Sequence, residues 1–141
     1  MKLIVQKFGG TSVADTSSLK IVAKRIIDRK KEGYEVVVVP SAMGSSTDEL
    51  IDLANELSEK PTPREMDMLL SAGERITMSL LSMHLNSLGH SSFSLTGSQA
   101  GIITTSRHGK AEIEEISGER VREGIEPVSY THLTLPTKST V

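Results

Sequence analysis

The residues best suited to chemistry fall in three short loops, each following an apolar run. The first, Lys7-Phe8-Gly9-Gly10-Thr11-Ser12, sets a lysine beside paired glycines. Glycines let backbone N–H groups approach an anion closely, and an ammonium group beside them adds a mobile positive charge. That combination suits phosphate oxygens, and such a lysine could neutralise charge developing during phosphoryl transfer. The spacing is neither G-x-x-x-x-G-K-[ST] nor G-x-G-x-x-G. An ordinary strand-to-helix turn with a solvated lysine has the same composition. In the second loop, Ser41 and Thr47 flank a helix start, where hydroxyls and free N–H groups either hold a carboxylate or simply cap the helix. The third loop is Thr96-Gly97-Ser98-Gln99-Ala100-Gly101. Glu74, directly after Gly73, is either a dipole partner at a helix start or an acceptor for a substrate ammonium group. His84, His90 and His108 lack metal-like spacing and read as surface or edge residues.

These loops need strands to end at one edge and helices to hold them there. Lys2 to Gln6 reads as a strand entering the Gly9-Gly10 turn. Leu19, Val22, Ala23, Ile26 and Ile27 recur at helical spacing, with Arg29, Lys30 and Lys31 in the last turn and Gly33 as the stop. Glu35 to Val39 is a β-branched run of the kind buried on both faces of a parallel sheet. Strand, helix and strand make a βαβ unit with an expected right-handed crossover. A second helix follows, with Ser46 and Glu49 as a capping box and Leu50, Leu53, Ala54 and Leu57 as its buried stripe. Thr62-Pro63-Arg64-Glu65 reads as another capping box with proline at the first helical position. The pattern beyond it predicts two helices meeting near Gly73, or one kinked there. His90 to Leu95 is expected as a third strand and Ala111 to Ile116 as a half-exposed one. Ligands in open α/β sheets bind beyond the carboxyl ends of the strands, so the three loops would line one mouth.

The 141 residues suit one domain or a large piece of one. A formal charge of −2 offers no basic face for nucleic acid, and an aromatic content of 3% leaves little for base stacking. The absence of cysteine excludes disulfides and thiol catalysis. The longest apolar run, Val36 to Val39, is too short to span a bilayer, and no signal-peptide pattern follows the N-terminus, so a cytoplasmic setting is expected.

Four collinear blocks add a resemblance. LIVQKFGGTSV from Leu3, VVVVPSAMGSSTDELIDLA from Val36, REMDMLLSAGERI from Arg64 and SLTGSQAGIIT from Ser94 closely resemble aspartate kinases. The likeness runs from Met1 to about Pro127. It implies a three-layer αβα sandwich of the amino-acid-kinase type, around a mostly parallel sheet and incomplete in this chain. It also implies transfer of the ATP γ-phosphate to the β-carboxylate of L-aspartate with Mg²⁺, giving 4-phospho-L-aspartate on the way to lysine, threonine and methionine. By the same resemblance Lys7 is the catalytic residue that stabilises the phosphoryl group. Phe8, Gly9, Gly10 and Ser41 belong with Lys7 to the ATP and phosphate site, while Ser41, Thr47 and Glu74 hold aspartate. No residue is assigned to a metal, and the parent enzyme is expected to be oligomeric. Another amino-acid kinase, or a non-catalytic aspartate-binding fragment, are the alternatives.

Two departures follow from the resemblance. Pro40 stands where the family commonly has an apolar residue, and a local loss of strand pairing is expected there. Residues 1–127 read as the aspartate-binding side of the kinase domain. Residues 128–141 depart from the family pattern and are expected to be disordered or the product of a frameshift or read-through. The nucleotide-binding half and the regulatory domains are not in the sequence, so the chain alone is expected to be inactive. A sheet cut at its middle should leave an unpaired edge and an uncovered apolar face.

Overall fold

The computed structural model describes residues 2–125 and 132–134. In chain order these form β1 (Lys2–Phe8), a 3₁₀ turn (Gly10–Val13), α1 (Thr16–Lys31), β2 (Tyr34–Pro40), α2 (Ser46–Leu57), α3 (Pro63–Ser87), β3 (Ser92–Ser94), β4 (Ile102–Thr104), β5 (Ile113–Ile116), α4 (Glu119–Ile125) and β6 (His132–Thr134). The main sheet has the order β1-β2-β6-β3, and every pairing in it is parallel. β4 and β5 form a separate antiparallel pair.

Alternation along β2 divides the core into two layers. Val36 and Val38 face one side, where they pack with Ile4 and Phe8 of β1, with Leu19, Val22, Ala23 and Ile26 of α1, and with Leu81 and Leu85 of α3. Val37 and Val39 face the other, against Phe93, Leu95, Ala100 and the α4 residues Val121 and Ile125. This is the αβα sandwich expected from the resemblance. Aliphatic side chains carry it; burying a residue such as Ile26 or Leu81 contributes about 1.5–3 kcal/mol each.

Several local expectations change. β1 runs on to Phe8 rather than ending at Gln6. α1 starts earlier than its apolar stripe suggests, because the Asp15 carboxylate caps it by accepting from the Ser18 N–H at 2.8 Å. Gly33 ends the α1 connection with φ +93°, a left-handed conformation that glycine adopts without strain. Pro40 is kept within β2, opposite Phe8. Its missing donor costs little at a strand end, because the next N–H, that of Ser41, donates to the Phe8 carbonyl at 2.9 Å.

Neither expected capping box forms. Ser45, not Ser46, precedes α2, and its hydroxyl donates to Glu49 Oε1 at 2.8 Å instead of accepting from the backbone. Thr62 makes no side-chain cap on α3, and Glu65 pairs with Arg64. The α2 stripe is not buried either. Leu53 and Leu57 are exposed, since α2 rests chiefly on α3 and no second layer covers it among the described residues.

α3 passes through Gly73 as one uninterrupted helix of 25 residues. The third strand is limited to Ser92–Ser94. β5 is exposed at all four positions because its only partner among the described residues is β4, an element the sequence pattern did not suggest; α4 was likewise unforeseen. The C-terminal segment was expected to hold no element. Its residues His132–Thr134 nevertheless form β6, inserted between β2 and β3, and the rest of that segment lies outside the described residues. β1 has β2 as its sole partner among the described residues, and its Leu3 and Val5 remain 56% and 60% exposed. No helix among the described residues is long and apolar enough to cross a membrane.

Candidate functional site

β1 and β2 end level with one another, Phe8 opposite Pro40, so the loops after them leave the same edge of the sheet. They are tied together by backbone. Besides the Ser41 N–H to Phe8 bond, the Gly44 N–H donates to the Gly10 carbonyl at 3.0 Å. A Cβ added to Gly10 would stand 3.2 Å from both the Ala42 and the Gly44 carbonyl oxygens, tighter than most real contacts. The second glycine of the Lys7–Ser12 loop is therefore required by the neighbouring loop, whatever else it does.

The second loop also reaches α3. A Cβ on Gly73 would meet the Ala42 methyl at 3.1 Å and Leu50 at 3.6 Å. Gly73 serves close packing and leaves the helix intact, so Glu74 is not at a helix start as its sequence context suggested. It sits in the middle of α3, only 4% exposed, one residue from that contact. Ser41 and Glu74 both have interaction partners. Thr47 is half-buried in the first turn of α2, where Asp48 and Glu49 stand in the same turn.

Lys7 is exposed and, by alternation, shares a face of β1 with Leu3 and Val5. Its register partner is Val39. Among the described residues its ammonium group makes no ion pair. It lines a cavity of about 480 Å³ together with Gln6, Phe8, Arg25, Asp28, Arg29 and Glu32. Gln6 Oε1 is buried without a hydrogen-bond partner.

The third loop leaves the same edge, because Ser94 is level with Thr134 and that residue with Val38. Its bonds are mostly internal. The Thr96 N–H donates to Gln99 Oε1 at 2.9 Å, and the Gln99 N–H returns to Thr96 Oγ1 at 3.3 Å. Gly101, at φ +83°, closes it, and a Cβ there would collide with Ser117 Oγ. The structure thus joins the first two loops and α3 directly. The third shares their edge and is anchored to Ser117, whose N–H donates to the Gly101 carbonyl at 3.0 Å.

One organising residue escaped the sequence reading. The Asp67 carboxylate, near the start of α3, accepts from the Gly109 N–H at 2.9 Å and lies 3.4 Å from His108 Nδ1. It fixes the tip of the β4–β5 connection to α3 across a cavity of about 250 Å³ that includes Thr104 and Arg107. Nothing local signals a bond between residues so far apart in sequence. His108, read as a surface residue, is half of that attachment.

The sequence profile of the amino acid kinase family matches residues 2–129. The aspartokinase of Mycolicibacterium smegmatis is 54% identical over 126 residues, covering 89% of this chain and 30% of that protein. The chain therefore spans less than a third of the length of this curated relative. The crystal structure of aspartate kinase from Synechocystis superposes with a TM-score of 0.77 at 41% identity, covering 96% of this chain and 21% of that one. E. coli aspartokinase III in complex with aspartate and ADP gives a TM-score of 0.78 at 19% identity, covering 99% and 42%, and indicates likeness of fold alone.

Proposed function

The chain belongs to the amino acid kinase family, and from that membership we propose that it is the acceptor-binding side of an aspartate kinase, which phosphorylates the β-carboxylate of L-aspartate with ATP as donor. The product is 4-phospho-L-aspartate, the first intermediate toward lysine, threonine and methionine. The observation that carries this reading is the stacking of Gly10 on the Ala42–Gly44 backbone and of Gly73 on Ala42. It gathers the Lys7 loop, the Ser41 loop and the buried Glu74 around one loop.

In this reading Glu74 takes the α-ammonium group of aspartate. A carboxylate that is almost wholly buried interacts strongly with a cation, because little water screens the pair. Ser41 and Thr47 orient the carboxylates of aspartate by hydrogen bonding beside a helix N-terminus. Lys7 and the N–H groups of Gly9 and Gly10 face the phosphate that moves, and Lys7 offsets the charge spread over its oxygens in the transition state. Phe8 supports this loop from within the core.

Mg²⁺ is commonly held through nucleotide phosphates and one or two carboxylates. Among the described residues no cluster of three or more His, Asp or Glu side chains is suited to a metal ion, so no step is assigned to one here. Phosphoryl transfer depends on placing donor and acceptor in line. The 141 residues by themselves are accordingly expected to form no ADP. Cytoplasmic location and an oligomeric parent enzyme belong to the same proposal.

Calorimetric titration with L-aspartate, L-glutamate and carbamate tests the acceptor. Selective heat with L-aspartate is expected, and equal or preferential binding of another acceptor by the folded chain contradicts the assignment.

A further inference from the structure

Asp67 ties the β4–β5 turn to α3, and the cavity of about 250 Å³ between them is lined on the turn side by hydrogen-bond donors. Thr104 Oγ1 is buried and, among the described residues, has no hydrogen-bond partner. A buried hydroxyl in that state is costly unless water or a ligand meets it. Thr105 Oγ1 accepts from the Glu112 N–H at 3.1 Å, so its own proton is the part it can still offer. Ser106 adds a third hydroxyl and Arg107 a guanidinium. Among the described residues the N–H groups of Ser106, Arg107 and His108 meet no acceptor, and Arg107 forms no ion pair.

Asp67 is the one carboxylate in this lining. Its Oδ2 already accepts from the Gly109 N–H at 2.9 Å and lies 3.4 Å from His108 Nδ1. Among the described residues no third His, Asp or Glu joins Asp67 and His108 in a group suited to a metal ion. A run of donors facing one engaged carboxylate favours an anion over a cation.

The cavity stands apart from the residues placed around the acceptor. Asp67 precedes Glu74 by seven residues, about two turns and roughly 10 Å along α3. The Lys7 loop is farther away. It follows β1, whereas the turn follows from β3 at the opposite edge of the main sheet, three strand spacings or roughly 14 Å across. No residue lines both this cavity and the one at Lys7.

Size and donor geometry select the ligand. Pockets for drug-sized ligands run from about 300 Å³ upward, so this one suits a small ion or the charged end of a metabolite. A guanidinium pairs with phosphate or carboxylate through two parallel bonds. A phosphate group has a further oxygen that the hydroxyls of Thr104 and Thr105 would meet, and a carboxylate has none to spare. We propose that the cavity between the start of α3 and the β4–β5 turn binds a phosphate group, with Arg107 as its anchor. This rests on the cavity alone and stands whether or not Glu74 receives aspartate. Arg107 and Ser106 are exposed, so water competes and the dissociation constant lies in the millimolar range. Added chloride weakens the binding by screening.

Amide-resolved NMR titration of the 141-residue chain with inorganic phosphate, at fixed pH and ionic strength, tests the proposal. Ser106, Arg107, His108 and Gly109 should shift together and saturate with one dissociation constant. Arg107→Gln, on an exposed loop, should raise that constant about tenfold through loss of a bidentate charged pair. Arg107→Lys keeps the charge without the fork and should fall between the two. Asp67→Asn retains an acceptor for Gly109 and removes the opposing charge, so it should tighten the binding. Lys7→Ala should abolish any response at Gly9 and Gly10 and leave that of the turn unchanged. Acetate should shift the turn less than phosphate at equal concentration. Glycerol 3-phosphate identifies the source: tighter binding than phosphate assigns a phosphorylated metabolite, and equal or weaker binding assigns the free ion. Absence of saturable shifts at Ser106 to Gly109 overturns the proposal. So do shifts that Arg107→Gln leaves unaltered, an equal or larger response to acetate, or weaker binding by Asp67→Asn.

Discussion

Gly73 of α3 lies so near Ala42 that a methyl group on the glycine would come within 3.1 Å of the alanine Cβ. A glycine inside a helix ordinarily costs about 1 kcal/mol relative to alanine. Here two effects oppose each other, since Gly73→Ala gains helix propensity but pushes the Ser41 loop off α3. The loop is held on its other side by the backbone of Gly10, so it has little room to retreat. Chemical denaturation of Gly73→Ala should show a net loss of stability, of the order of 1 kcal/mol, as for other overpacked sites. A gain of similar size would mean that the loop yields freely and that the contact does not organise the site.

Gly101 gives a second backbone test. Its φ of +83° and the Ser117 hydroxyl standing where a Cβ would go both act against any side chain. Gly101→Ala should lower stability by about 2 kcal/mol, combining left-handed strain with steric conflict. Pairing Gly101→Ala with Ser117→Gly separates the two. Removing the serine should recover the steric part and leave the strain, whereas full recovery would show that φ is not the constraint.

Asp67 is expected to matter for local order more than for global stability. Asp67→Ala removes the acceptor for the Gly109 N–H and the partner of His108. Hydrogen exchange at Gly109 should accelerate by about fivefold, the equivalent of one lost hydrogen bond of roughly 1 kcal/mol. Asp67→Asn, which still offers an acceptor oxygen, should largely preserve protection. Equal acceleration in both variants would mean that the charge toward His108, not the backbone bond, holds the loop.

Asp15 supplies a pH dependence. The backbone N–H of Ser18, then its hydroxyl, and the N–H of Ser17 hold the Asp15 carboxyl below its ordinary value. A carboxylate that binds its proton less tightly when folded contributes stability at pH above the ordinary carboxylate range. That contribution falls away as the pH drops through this range toward the depressed folded value. Melting midpoints of wild type and Asp15→Ala should differ at neutral pH and converge in acid. A difference that persists undiminished at low pH would assign the effect to something other than ionisation.

The fold was legible in the sequence where it rests on local pattern. Apolar period and flanking glycines located β1, α1 and β2, and the collinear blocks around Lys7, Ser41 and Glu74 pointed to the fold and family before any contact was visible. What stayed hidden depends on distant neighbours. Gly73 reads as a break until Ala42 is seen against it, and that misreading set Glu74 at a helix start instead of in the interior of α3. The Leu53 and Leu57 stripe was expected inside because spacing reveals a face and not what covers it. β6 escaped because three residues without a periodic pattern become a strand only through β2 and β3 on either side.

The central claim is that this edge of the sheet receives aspartate through Glu74. Isothermal titration of the chain with L-aspartate, compared with Glu74→Gln of matched circular dichroism, tests it most directly. The expected result is measurable binding by the wild-type chain, weakened about 10- to 100-fold by Glu74→Gln through loss of one charge-assisted bond. Binding that is unaffected by Glu74→Gln, or no aspartate binding by a folded wild-type chain, would contradict the account.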